Sequence, residues 1–159
     1  MKKNVIRTPN TMADKKAKKK DKVVIEEEPS IVHGVYVFPN GDRYEGEYMH
    51  TGDGAVVRSG FGKHISSQGL VYEGNWTENK MNGTGCVRFP SGASYEGDIV
   101  DNKMHGNGRY KFPDEAVYEG GFLDNRLEGN GTLIDPSGQS WCGTFNNRSA
   151  NALRFKLKM

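Results

Sequence analysis

Residues 72–92 read Tyr72-Glu73-Gly74-Asn75-Trp76-Thr77-Glu78-Asn79-Lys80-Met81-Asn82-Gly83-Thr84-Gly85-Cys86-Val87-Arg88-Phe89-Pro90-Ser91-Gly92, and the pattern begins again at Tyr95-Glu96-Gly97. Strict alternation puts Tyr72, Gly74 and Trp76 on one face of a strand, with Glu73 and Asn75 on the other. The return segment alternates in the same way: Gly85, Val87 and Phe89 face one side, Cys86 and Arg88 the other. Between the two lies a turn, read over Glu78 to Gly83, and Pro90-Ser91-Gly92 supplies the next one. Proline presets φ, and glycine accepts positive φ two residues later. One such unit is therefore a β-hairpin.

The unit recurs along the chain. Tyr44-Glu45-Gly46, Tyr72-Glu73-Gly74, Tyr95-Glu96-Gly97 and Tyr118-Glu119-Gly120 are followed by a degenerate Trp141-Cys142-Gly143. The last three steps are 23 residues and the first is 28. Its five extra residues lie between Tyr48 and Gly60, so residues 49–59 are expected to form a longer hairpin loop. Two positions after each of these glycines stands a second large apolar residue: Tyr48, Trp76, Ile99, Phe122 and Phe145. Phe38-Pro39-Asn40-Gly41, Phe112-Pro113-Asp114-Glu115 and Asp135-Pro136-Ser137-Gly138 repeat the second turn. Glu115 replaces its glycine, at a cost of about 1–2 kcal/mol if the backbone stays left-handed.

Fixed-period repeats of this kind imply an array in which each hairpin contacts only its neighbours. The expected fold is all-β, a single-layer antiparallel meander of about eleven strands, roughly 50 Å long at ~4.8 Å per strand. Residues 1–30 read as a disordered basic tail and residues 31–146 as the repeat sheet. The sheet comprises a half unit at 31–43, units at 44–71, 72–94, 95–117 and 118–140, and a degenerate unit from 141. Residues 147–159 read as a closing strand in which Leu153, Phe155 and Leu157 alternate with Arg154, Lys156 and Lys158. Its basic face would blunt the sheet edge.

Charge is divided sharply. Residues 1–22 hold nine Lys/Arg and two Asp, whereas residues 31–159 hold thirteen Lys/Arg and fifteen Asp/Glu. Within the sheet the polar faces alternate in sign: Glu45, Glu47, Glu73, Glu96, Asp98 and Glu119 on outgoing strands, Lys63, Arg88, Arg109 and Lys111 on return strands. Neighbouring acidic and basic rows set register and solubility, at ~0.2–1 kcal/mol per pair.

Tyr-Glu-Gly-x-Trp/Phe, Gly-x-Gly and Pro-Ser-Gly at a 23-residue period resemble the MORN repeat (membrane occupation and recognition nexus) over residues 33–146. The resemblance implies a curved, non-enzymatic scaffold. Its relatives act at membrane contacts, in ciliary radial spokes, or by holding helical segments in an aromatic groove, and one is linked with sperm formation and the acrosome. A cytoplasmic chain, at vesicles, the acrosome or an axoneme, is the implied placement. Glu115, the degenerate fifth unit and the insertion depart from the pattern.

The two apolar stripes form the first candidate site. With one sheet and no helices, nothing is expected to cover them, so some rings should stay partly exposed. Tyr72, Trp76, Tyr95, Ile99, Tyr118 and Phe122 are the candidate partner-binding residues, for an amphipathic helix or a second copy of the chain. The bland alternative is that each ring packs on the neighbouring hairpin. The second candidate is the lysine run Lys15, Lys16, Lys18, Lys19, Lys20 and Lys22, for an anionic membrane surface or anionic partner at ~1 kcal/mol per lysine near the surface. Nucleic acid is disfavoured, since the tail interleaves no aromatics. His33, His50, His64 and His105 lack metal-ligand spacing, and Cys86 and Cys142 lack a partner base. No catalytic residue, metal or cofactor is expected, and no apolar run approaches the ~20 residues of a membrane-spanning helix.

Overall fold

The computed structural model describes residues 31–147 and 149–156. The proposed tail, with the six candidate lysines of its 15–22 run, and Leu157 and Lys158 of the closing segment lie outside the described residues. Eleven strands follow one another: β1 (Ile31–Val37), β2 (Arg43–His50), β3 (Val56–Ile65), β4 (Val71–Thr77), β5 (Lys80–Arg88), β6 (Ser94–Val100), β7 (Lys103–Lys111), β8 (Val117–Leu123), β9 (Arg126–Ile134), β10 (Ser140–Asn147) and β11 (Ser149–Lys156). They form one antiparallel sheet in chain order. The meander is the one the repeat implies.

Register is set by glycine. Gly34 faces Gly46, Gly46 faces Gly62, Gly62 faces Gly74, and the row continues through Gly85, Gly97, Gly108, Gly120 and Gly131 to Gly143. The bare stripe crosses every strand from β1 to β10. A tyrosine ring lies over each hairpin's glycine pair. A Cβ at Gly85 would come within 2.5 Å of the Tyr72 ring, and one at Gly108 within 2.5 Å of Tyr95. Gly62 and Gly131 are closed in the same way by Tyr44 and Tyr118. The stripe ends where β11 bulges opposite Gly143 between Cys142 and Thr144, with Ala152 left-handed at φ 52.

The first turn of the units at 72–94, 95–117 and 118–140 is tighter than its sequence suggests. Thr77 pairs with Lys80, so the loop is only Glu78-Asn79. Both residues have positive φ (49 and 67), and Asp101-Asn102 and Asp124-Asn125 repeat the geometry. Two left-handed residues match the twist of the flanking strands. Lys80, Met81 and Asn82, read from sequence as turn, therefore belong to β5. Gly83, Gly106 and Gly129 instead sit at bulges, with positive φ, where the partner strand has one residue to the bulged strand's three.

The asparagines also clip each hairpin to the one before. Asn102 accepts from the Met81 N–H through its side-chain oxygen (2.8 Å), while its own N–H donates to the Met81 carbonyl (3.0 Å). Asn79 does the same on Arg58, and Asn125 on Met104. Lys80–Asp101 and Lys103–Asp124 ion pairs, 3.1 and 3.2 Å, sit beside the clips. Both partners are exposed, so these add little stability.

The second turn follows the proline pattern, with Gly41, Gly92 and Gly138 at φ 84–89. Ser66-Ser67-Gln68-Gly69 builds the same loop without proline. Glu115 does keep the left-handed conformation (φ 72) and pairs with Lys111. The insertion behaves differently from expectation. Tyr48, Met49 and His50 pair with Arg58, Val57 and Val56, leaving a loop of only residues 51–55. The extra residues lengthen the hairpin because they can satisfy their backbone groups across it, which a long loop could not do.

Gly108→Ala should lower stability by about 1–3 kcal/mol or more, since the methyl group has no room under the Tyr95 ring. Gly52→Ala, in open space, should stay within about 0.5 kcal/mol of the parent in the same urea titration. Asn102→Gly keeps the turn's φ and removes the side-chain half of the clip, so a loss of about 1 kcal/mol is expected by the same measurement.

Candidate functional site

The face that carries the tyrosines is built in two tiers. Tyr44, Tyr72, Tyr95 and Tyr118 form the floor, none more than 2 % exposed. Each phenol donates a hydrogen bond to the carbonyl three residues on: Tyr44 to Glu47, Tyr72 to Asn75, Tyr95 to Asp98 and Tyr118 to Gly121. A buried hydroxyl left unpaired would cost about 1–3 kcal/mol. Burial in this apolar setting pushes the Tyr44, Tyr72 and Tyr95 phenols up to about 12 and raises Tyr118 as well.

Trp76, Ile99, Phe122 and Phe145 lie between the tyrosines. Trp76 meets the edges of Tyr44 and Tyr72 at 5.5 and 5.1 Å, and Phe122 meets Tyr95 and Tyr118 at 5.0 and 5.4 Å. The Trp76 Nε1–H donates to the Gly62 carbonyl. The expectation that some rings of these stripes stay partly exposed holds for Tyr48 and Trp141, which are half-buried, and is corrected for the six candidate partner-binding residues. Tyr72, Trp76, Tyr95, Ile99, Tyr118 and Phe122 are brought together in one cluster and are all buried. Edge-to-face packing lets Trp76 and Phe122 each cover tyrosines on two hairpins, so the single sheet supplies its own cover.

What remains accessible is an upper tier that pattern reading passed over. Met81, Met104 and Leu127 recur every 23 residues and pack half-buried on the cluster, with Phe89, Tyr110, Phe112 and Leu133 beside them. Two adjoining hollows open there. One of about 310 Å³ is lined by Leu70, Met81, Val87, Phe89, Ile99 and Met104. The other, about 500 Å³, is lined by Met104, Tyr110, Phe112, Leu127, Leu133 and Phe145 among others. The 23-residue spacing of Met81, Met104 and Leu127 was the available signal. Reading them as turn residues hid it.

At the opposite end the floor carries a cation. The Arg58 guanidinium stacks 4.1 Å over Trp76 and donates to the Asn79 carbonyl at 3.0 Å. It comes from the lengthened first hairpin and lies beside a hollow of about 320 Å³ with Tyr36, Phe38, Tyr48 and His50. Desolvation holds Arg58 below the ordinary arginine value. His64, 3.3 Å from Asp42, is lowered first by burial and then by Arg58, against the pull of Asp42.

On the other face, Lys63–Glu73 (3.5 Å) and Arg109–Glu119 (3.1 Å) realise the alternating charge rows. Arg88 faces Val71 and Ser94 and joins no carboxylate there. Cys86 and Cys142 are free and half-buried, and Cys142 Sγ meets Thr132 Oγ1 at 3.4 Å. Among the described residues no three His, Cys, Asp or Glu side chains gather to hold a metal ion.

The family model for the MORN repeat matches residues 32–43, 72–94, 95–117 and 118–140, about half the chain. The chain belongs to the MORN-repeat family. The unit at 44–71, which bears the insertion, is not among the matched stretches. MORN repeats are consistent with a protein-binding scaffold. No curated protein sequence matches the chain. Among solved structures, the chain is similar to the SAS-4 (dCPAP) TCP domain of Drosophila melanogaster, determined in complex with a proline-rich motif of Ana2 (dSTIL). That likeness has 11 % identity, covers 95 % of this chain and 99 % of that one, and has a TM-score of 0.31, too low to carry an argument.

The raised phenols give the MORN array an alkaline limit. An unfolded tyrosine ionises near pH 10, while the buried ones keep their protons to about pH 12. Their contribution to stability is whole below pH ~10 and is lost as pH rises through ~12, because the unfolded chain releases protons that the folded chain holds. Urea midpoints measured from pH ~9 upward should fall across this window, and Tyr95→Phe should flatten the decline.

Proposed function

We propose that this MORN array is a non-catalytic scaffold that holds an amphipathic helical segment of a protein partner along the tier of Met81, Met104 and Leu127. The carrying observation is that these half-buried side chains recur once per hairpin above a closed aromatic floor, with hollows between them. One hairpin advances the sheet by about 10 Å, two strand spacings. Two turns of helix advance about 11 Å. Apolar residues seven apart on a helix would therefore meet an equivalent hollow at each successive hairpin. Methionine adapts to varied partner shapes, and Phe112 and Tyr110 offer rigid aromatic surface beside it. The six stripe residues act beneath this tier as its support.

A photo-crosslinking residue at position 104 should mark partner residues spaced three, four and seven apart. Met104→Glu with Leu127→Glu should abolish that capture with the circular dichroism spectrum unchanged. Undiminished capture, or crosslinks at every second residue of an extended segment, would sink the reading.

The lysine run at 15–22 supports a second, independent attachment to anionic membranes, since seven net positive charges precede a mildly acidic sheet. Sedimentation with phosphatidylserine vesicles should fall on deletion of residues 1–22 and with added salt. Equal sedimentation of the deleted chain would refute it.

A further inference from the structure

We infer that β1 is a dimerisation edge, at which a second copy of this chain adds its own β1 antiparallel about Gly34. Among the described residues β1 has a strand on one side only. Its sequence, Ile31-Val32-His33-Gly34-Val35-Tyr36-Val37, carries no Asp, Glu, Lys or Arg. Both faces are mainly apolar and open to solvent: Ile31, Val35 and Val37, which share one face with His33, are 56–65 % exposed, and Val32 and Tyr36 on the other are 37 % and 50 %. An edge of this length and polarity is a template for strand addition unless something blunts it. The far edge is blunted. β11 carries Arg154 and Lys156, and it is bent by its bulge at Ala152.

The hydrogen-bonding geometry selects the register. The Phe38 N–H donates to Asp42 and the Phe38 carbonyl accepts from Gly41, so the backbone of Phe38 points toward β2. Alternation turns Tyr36, Gly34 and Val32 the same way, and it leaves the N–H and C=O groups of Ile31, His33, Val35 and Val37 at the free edge. A two-fold axis at Gly34 sets His33 against Val35 of the second copy, and Ile31 against Val37, each an outward-facing pair able to exchange both backbone bonds. The seven-residue strand is symmetric about Gly34 in this respect, so the axis there uses its whole length. Such an axis stands perpendicular to the sheet.

The same axis continues the architecture of the monomer. Gly34 is the outermost member of the glycine row, facing Gly46 and overlaid by the Tyr48 ring. Pairing at Gly34 would carry the row unbroken into the second copy and keep both aromatic faces on the same side. Tyr36 would lie against Val32 of the second copy. No like charges meet across the axis. The two grooves would then open on the same face of the doubled sheet, which gives a scaffold two equivalent partner sites.

The test uses the full chain. Sedimentation equilibrium from the low micromolar range upward should report a species of twice the chain mass. Val35→Lys brings a cation opposite His33 of the second copy and beside its own symmetry mate, while within the monomer it faces Glu45, so the fold is kept and the dimer is lost. Val35→Pro removes one outward N–H from each copy and should weaken association about tenfold or more. Lys156→Asp, at the far edge, should leave the dimer intact. A wild-type chain that stays monomeric overturns the inference, as does a dimer insensitive to both Val35 substitutions or one dissolved by Lys156→Asp. The groove's capture of its partner is read separately, so either result can fail alone.

Discussion

The structure depends on the contact between a tyrosine ring and the pair of glycines beneath it. Each hairpin from β2 to β9 places one ring flat against two facing backbones, at a distance no side chain could share. The ring's hydroxyl then reaches a carbonyl three residues along its own strand, so the only polar atom of the packing element is satisfied where it is buried. This contact fixes which residues face each other across the sheet. A slip of one position would put a side chain under the ring. Register, normally set by turns and by a hydrophobic face, is here set sterically at the centre of the strand pairs from β1 to β10.

A thin sheet with no helices has to find its hydrophobic cover within itself. The second stripe supplies it: Trp76 and Phe122 each span two hairpins and meet tyrosine edges on both. Burial therefore couples each hairpin to the next, and the Asn79, Asn102 and Asn125 clips repeat that coupling in backbone hydrogen bonds at the loop ends. Stability of such an array is close to a sum over units and their shared boundaries. The boundaries are strong in the middle and change character at both ends. Arg58 stacks on Trp76 near the first end, and the glycine row stops at the β11 bulge at the other.

The consequence for function is a division between the residues that hold the sheet and the residues it presents. Closing the floor so completely leaves the floor itself little to offer a partner. It makes a rigid base for Met81, Met104 and Leu127, whose flexible side chains line hollows on an otherwise well-packed face. Electrostatics plays a subordinate part. The charge pairs lie on the opposite face or at the loop ends, are exposed, and serve spacing and solubility more than cohesion.

By itself the sequence determined the period, the all-β meander, the hairpin as the unit, the glycine row and the two apolar stripes. These follow from spacing and alternation, which are local properties of a chain. It also showed that the proline turns need a left-handed residue, a demand Glu115 meets at some cost. Tertiary structure alone decided which apolar residues are used up by packing. Tyr72, Trp76, Tyr95, Ile99, Tyr118 and Phe122 look open in a flat sheet and become buried once neighbouring hairpins fold ring against ring. Met81 and its equivalents look like turn residues until the Glu78-Asn79 loop closes in two positions and returns them to a strand. The fate of the insertion was likewise settled only by pairing, because whether residues 49–59 form loop or ladder depends on backbone partners across the hairpin. Exposure is a property of neighbours in space, and a one-dimensional pattern can say which face a residue shares but not what comes to lie over it.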